Sequence, residues 1–243
     1  MSLAGNMSYA AARVHARYGS RLDDSAWRRI EASRSLGQYL EAVRRTALAP
    51  WVANIDIARD PHAIEGALRS EWRTTVRALA SWHAQVWQPW VRWWAWLPLL
   101  PLIARLARPA AVPPWMLSDP VCGPIAVGTP EERATALEAT ALAPLAAAVR
   151  NASSVGLLWQ QEAQRRLAPA DDPTLEQLRH LLQLLSPGIY ATPPQCAPAL
   201  ARLFRVAGET IVASGCYLAL LLLDMERLRG GLVFRRLFHR EAA

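Results

Sequence analysis

Ile64, Leu68, Trp72, Val76 and Leu79 recur every third or fourth residue, and His83, Val86 and Trp90 carry the stripe onward. That spacing puts all eight on one face of an α-helix, whereas a strand would alternate. Helical spacing fills nearly the whole chain, and alternating runs of β-branched residues are hardly visible. The sequence therefore predicts an all-α fold with two or three helical lobes, a long helix near the middle and a long C-terminal helix. A helix with one apolar face must be covered by others. A chain of 243 residues, 52% of them hydrophobic, can supply that cover.

Start and stop signals divide the pattern. A first helix over 8–21 has Ala11, Val14, Tyr18 and Leu22 on its apolar face. Asp23 or Asp24 caps a second around Trp27 and Ile30, and Ser35 caps a third carrying Leu36, Tyr39, Leu40 and Val43. Asp60-Pro61 joins a cap to a proline at the first helical position and opens a helix reaching about residue 88, where Pro89 ends or kinks it. Residues 98–130 are rich in proline and poor in charge. They read as a short helix over 99–107 and an irregular connection, which sets an N-terminal lobe at 1–97 against a C-terminal lobe at 131–243. Thr129 and Glu132 fit a capping box for a helix to about 150, kinked at Pro144. Further helices are expected over 155–167 and, after Asp172-Pro173, over 175–185, stopped by Pro187-Gly188. The last run, 197–240, keeps Leu200, Phe204, Ala207, Ile211, Leu218, Leu221, Met225 and Leu228 on one stripe and breaks at Gly230-Gly231. No clear repeat stands out. Residues 25–46 and 175–192 share only a loose helix–turn–helix pattern.

All 27 basic residues are Arg, against 20 acids, for a net charge of +7. Coding bias is one source of this. Selection for bidentate contacts to carboxylate or phosphate is the other. Arg13, Arg17 and Arg21 form one basic row at helical spacing, and Arg69, Arg73 and Arg77 form a second. Each row is either a solvated face or a docking face for acidic loops. The positive balance suits an acidic protein surface or anionic lipid. Nucleic acid is not expected, because the arginines are interspersed with acids and no recognition motif is present.

The three cysteines are far apart and form no CxxC pair, so neither a zinc site nor a disulfide framework is indicated, and a reducing compartment follows. The five histidines lack second ligands at helical spacing, so no metal site is expected. There is no glycine-rich phosphate loop, no GxSxG elbow and no Lys for a Walker motif. The chain reads as no enzyme, with no catalytic residue and no cofactor. The longest uncharged apolar run, 210–223, spans about 21 Å at 1.5 Å per residue, short of roughly 30 Å of hydrocarbon. No apolar leader is visible at the N-terminus, and either Met1 or Met7 can be the native start.

Six tryptophans lie between residues 82 and 96. They suit core and interlobe packing. Trp90, Trp93, Trp94 and Trp96 also suit a membrane-interface belt or a protein hot spot, since the ring is apolar and its N–H wants a partner.

Residues 9–92 bring Tyr9, Arg13 and Arg17 on an opening helix, then Leu22, Trp27, Ile30, Leu36, Leu40 and Thr46, and then the long 61–88 helix. Residues 221–238, LLLDMERLRGGLVFRRLF, place Glu226, Leu228 and Arg229 on a last helix after a long apolar one. This order resembles the C/d adaptor family of V-type and archaeal-type rotary ATPases, over a little under half of the chain. Ala47-Leu48 replaces a Tyr that the family tends to have after the Thr, Arg227 replaces a common Asn, and the chain is short for the family. The resemblance implies a divergent, non-catalytic helical adaptor in a proton- or ion-transporting assembly. Its partners would be the central stalk and the membrane rotor ring, with ATP bound elsewhere. It would be cytoplasmic, peripheral to the inner face of a membrane. The two arginine rows, the four tryptophans, Glu226 and Arg229 would then contact partners. The alternative is a membrane-surface or protein-interaction helical protein unrelated to rotary ATPases.

Overall fold

A computed structural model describes residues 3–108, 111–151, 153–168, 170–185 and 193–238. These residues are all-α, with no strand among them. In chain order, the first helices are α1 (Leu3–Gly19), α2 (Asp24–Glu31), α3 (Leu36–Arg44), α4 (Ala49–Val52) and α5 (Pro61–Ser81). The middle of the chain forms α6 (Gln88–Trp93), α7 (Leu100–Leu106), α8 (Pro114–Ser118), α9 (Gly123–Ala126), α10 (Pro130–Glu138) and α11 (Ala146–Asn151). The last four are α12 (Val155–Arg165), α13 (Asp172–Leu185), α14 (Pro193–Ala207) and α15 (Ile211–Phe238).

The caps decide where these helices begin. Asp23, not Asp24, accepts the Ala26 amide at 2.7 Å. Asp60 accepts from the amides of His62 and Ala63, and capping boxes close at Ser35/Gln38 and Thr129/Glu132. At α13 the cap is Asp171, which accepts from the Thr174 amide at 3.0 Å, one residue before the expected position. Pro187-Gly188 and the chain beyond 238 lie outside the described residues.

α15 organises the packing. It lies against α14, α5, α1, α13 and α3. Every residue from Ile211 to Leu222 is buried, so this part has no single stripe but is apolar all round, as a helix inside a core must be. Gly215 allows the crossing. A Cβ there would stand 2.7 Å from the Trp90 ring and 3.3 Å from that of Trp94. The expected long C-terminal run is two helices, because Gly208 takes φ +56° between α14 and α15. Gly230-Gly231 does not break α15. Arg235 anchors the following turn, donating to the carbonyls of Ser33 at 2.9 Å and Glu31 at 2.7 Å and lying 4.1 Å from the Tyr39 ring centroid. Those tertiary bonds outweigh a glycine cost of about 1 kcal/mol per residue.

One hydrophobic cluster draws on residues 1–97, 98–130 and 131–243 alike. The segment after α7 is not an irregular connection. It folds into α8 and α9 and buries Trp115, Met116, Cys122 and Ile125. Likewise, the helix expected to reach residue 150 with a kink at Pro144 already stops at Glu138, and Pro144 sits in a 3-10 turn at Ala143–Leu145 that leads into α11.

The middle helix stops at Ser81, short of the expected residue 88, and Pro89 stands in the first turn of the next helix, where its missing N–H leaves no bond unmade. His83 falls in the intervening turn, 4% exposed, its Nε2 3.0 Å from Ser214 Oγ. Burial lowers its pKa from 6.5 to about 4. A depressed base loses stability as pH falls, since the unfolded chain binds the proton first. Stability should therefore drop by about 3 kcal/mol between pH 6.5 and 4, at ~1.4 kcal/mol per unit. Urea unfolding across that range should show this slope. His83→Gln should flatten it, and an unchanged slope would remove His83 as its source.

A repeat exists, although not where the loose pattern suggested; part of 175–192 lies outside the described residues. Thr46-Ala47-Leu48-Ala49-Pro50 recurs unchanged as Thr140-Ala141-Leu142-Ala143-Pro144, an offset of 94 residues. α3 and α10 begin and end at the same offset, 36 to 130 and 44 to 138, and α5 and α12 begin at 61 and 155. The hydrogen bonds repeat as well. Thr46 Oγ1 donates to the Val43 carbonyl at 2.7 Å and accepts the Leu48 amide at 3.1 Å. Thr140 Oγ1 does the same with Leu137 at 2.8 Å and Leu142 at 3.0 Å. The caps Ser35 and Thr129, then Asp60 and Ser154, complete the two units.

Candidate functional site

A cleft of about 190 Å³ opens between α1, α5, α15 and the turn leading into α4. The four-residue spacing of Arg17 and Arg21 puts both on its α1 wall. Arg21 is consumed internally. Its Nε and Nη2 donate to the two Asp224 carboxylate oxygens at 2.7 and 2.9 Å. Burial pushes the Asp224 carboxyl above its ordinary value, and the Arg21 hydrogen bonds pull it back only in part. Tyr217, two turns earlier on α15, shares that wall, and burial raises its phenol while the nearby Arg17 and Arg21 charges oppose the rise.

α5 supplies the opposite wall with Glu71, Thr74 and Thr75. Burial raises the Glu71 carboxyl, and a hydrogen bond with Thr75 offsets this only partly. Among the described residues, neither Arg17 nor Glu71 has an ion-pair partner. Trp51, Leu79 and Leu221 add apolar surface to the same lining. The lining contains no His and no Cys. The cleft can therefore bind by charge and shape, but it shows no nucleophile paired with a base. No group of three His, Cys, Asp or Glu suited to a metal ion occurs among the described residues, and no helix there is long and apolar enough to cross a membrane.

The other sequence-predicted residues are scattered rather than gathered. Arg13 donates to the Tyr9 hydroxyl and sits 4.5 Å from the Trp82 ring centroid. Arg69 is buried, paired with Glu65 and donating to the Pro98 carbonyl at 2.6 Å. Arg73 pairs with Asp119 and Arg77 is exposed, so the second row is not one solvated face. For Asp119, burial alone would raise the carboxyl, but bonds from Arg73 and the Cys122 and Val121 amides bring it below the ordinary value. Arg229 donates to Glu226 at 2.7 Å and lies 3.6 Å from Glu65, tying α15 to α5.

Trp90, Trp93 and Trp94 are at most 1% exposed and only Trp96 is partly exposed, so the first three offer a membrane or partner no surface. They are core. The Trp93 Nε1 donates to the Trp159 carbonyl at 3.0 Å, and Trp94 meets Trp90 and Trp159 edge-on, at centroid distances of 5.5 and 5.6 Å.

Sequence reasoning missed Glu71, Tyr217 and Asp224. One signal was present: Asp224 ends the apolar run of α15, seven residues and two turns after Tyr217, just past the stretch 211–222 that is apolar on every face. A charge in such a helix must point at a partner. No family model, curated protein or solved structure matches the chain.

Proposed function

We propose that the chain is a non-catalytic helical adaptor, a divergent and shortened relative of the C/d adaptors of rotary ATPases. It would link a central stalk to a membrane rotor ring on the cytoplasmic face. The observation that carries this reading is the duplicated helical unit, 94 residues apart. Related helical lobes are what the resembled family is built from, and two similar units give an adaptor two similar faces. Arg17 and Arg77, exposed and without a carboxylate partner among the described residues, remain for acidic loops. The test is affinity isolation of the tagged chain from its own membranes. Stoichiometric recovery of stalk and ring proteins is expected, with loss of recovery in Arg17→Glu/Arg77→Glu. Isolation of the chain alone from intact assemblies would end the reading.

A second reading has one observation in its favour. The last turns of α15 leave Leu237 56% and Phe238 70% exposed beside Arg236, an apolar-basic surface of the kind that meets anionic lipid. In this reading the purified protein sediments with anionic vesicles, and Phe238→Ser reduces binding. Because the tryptophan core is already dry, its fluorescence should barely move. No sedimentation at low salt would exclude lipid binding.

A further inference from the structure

Two charges lining the α1–α5–α15 cleft have no ion-pair partner among the described residues. The exposed Arg17 lines it from α1 and the half-buried Glu71 from α5, and Trp51 and Leu79 belong to the same lining. The neighbouring pair Arg21 and Asp224 is closed on itself, joining the end of α1 to α15, and leaves Arg17 and Glu71 outside it.

The second helical unit serves as an internal comparison. The position equivalent to Glu71, 94 residues on, is Arg165. Its neighbour Glu162 is paired twice, with Arg165 and with Arg166, each at 2.7 Å. In that unit the charges close on one another. In the first unit Glu71 is left without an arginine of its own helix and lines a cavity that Arg17 of α1 also lines, and burial raises its carboxyl.

A carboxylate that has lost water and gained only a hydroxyl is strengthened by an ammonium group. A guanidinium without a partner is a bidentate seat for a carboxylate. The space, about 190 Å³, exceeds several waters at about 30 Å³ each and falls short of drug-sized pockets of roughly 300–1,000 Å³. It fits a molecule with a handful of carbons.

We propose that this cleft binds a small zwitterion of the free α-amino acid class, with its carboxylate on Arg17, its ammonium on Glu71 and an apolar side chain against Trp51 and Leu79. The proposal does not depend on the adaptor reading; the two share Arg17, and Glu71→Gln, which leaves Arg17 and Arg77 intact for acidic loops, tells them apart.

The test is calorimetric titration of the full chain with the twenty standard amino acids. At least one should bind saturably with a Kd below about 1 mM. Its deaminated acid and its decarboxylated amine should each bind at least tenfold more weakly. Arg17→Gln and Glu71→Gln should each weaken binding at least tenfold and leave the helical circular dichroism spectrum unchanged. Ala78→Leu fills the cleft from the exposed face of α5 without touching a charge, and it should abolish binding at unchanged thermal stability. The proposal fails if no amino acid binds, if the amine or the acid alone binds as tightly as the amino acid, or if binding survives all three variants.

Discussion

Trp94→Ala is expected to lower folding stability by about 3–5 kcal/mol, the range for emptying a fully buried indole site. Trp94 is wholly buried and meets the Trp90 and Trp159 rings at interplanar angles of 69° and 89°. Each such edge-to-face contact adds about 0.5–1.5 kcal/mol beyond the area it buries. The site cannot collapse easily, because Gly215 of α15 already lies against the Trp90 and Trp94 rings and the Trp72 Nε1 donates to the Trp94 carbonyl at 3.0 Å. Trp96→Ala, two residues away and partly exposed, should cost about 1 kcal/mol or less. Urea midpoints at constant slope measure both. Equal losses from the two would show that Trp94 is not a core residue.

Arg21→Ala is expected to cost a similar amount, about 3–5 kcal/mol, for an electrostatic reason. Asp224 keeps only 8% of its side chain exposed, and Arg21 is its ion-pair partner. Removing the guanidinium strands a carboxylate in a dry place. Replacing both, as Arg21→Met/Asp224→Leu, should restore most of the loss, since the pair itself nets little after desolvation. The pH dependence has a definite sign. Burial already raises the Asp224 carboxyl, and losing Arg21 raises it further. A raised carboxyl favours the folded state at low pH and loses that advantage as pH climbs through the folded value. The deficit of Arg21→Ala should therefore shrink on acidification and grow toward neutrality. A deficit independent of pH would mean that packing of the Arg21 stem, not charge, is what the substitution removes.

Much of the fold was legible. The caps at Asp60, Ser35 and Thr129 were read from single residues, because capping is local: a side chain bonds an amide two or three positions on. The tryptophans were ambiguous for the opposite reason. An indole at helical spacing looks the same whether it faces a core or a bilayer, and only what lies across from it decides. The duplication escaped notice because its core positions diverged. Trp51 matches Leu145 and Tyr39 matches Arg133, so only the Thr-Ala-Leu-Ala-Pro turn, whose hydroxyl must make two bonds, stayed recognisable.

The cleft was only partly legible. Arg17 and Arg21 stood out as a row, but the sequence could not tell the free one from the bound one. That difference depends on Asp224, some two hundred residues away, which Arg21 reaches at 2.7 Å and Arg17 does not. By itself, then, the sequence determined the all-α class, most helix starts and the absence of a membrane-crossing apolar run, all set by neighbours within a turn or two. Only the tertiary structure decided which charges are spent and which are spare. Burial and pairing are properties of what α15 brings against α1 and α5, and no local pattern records that meeting.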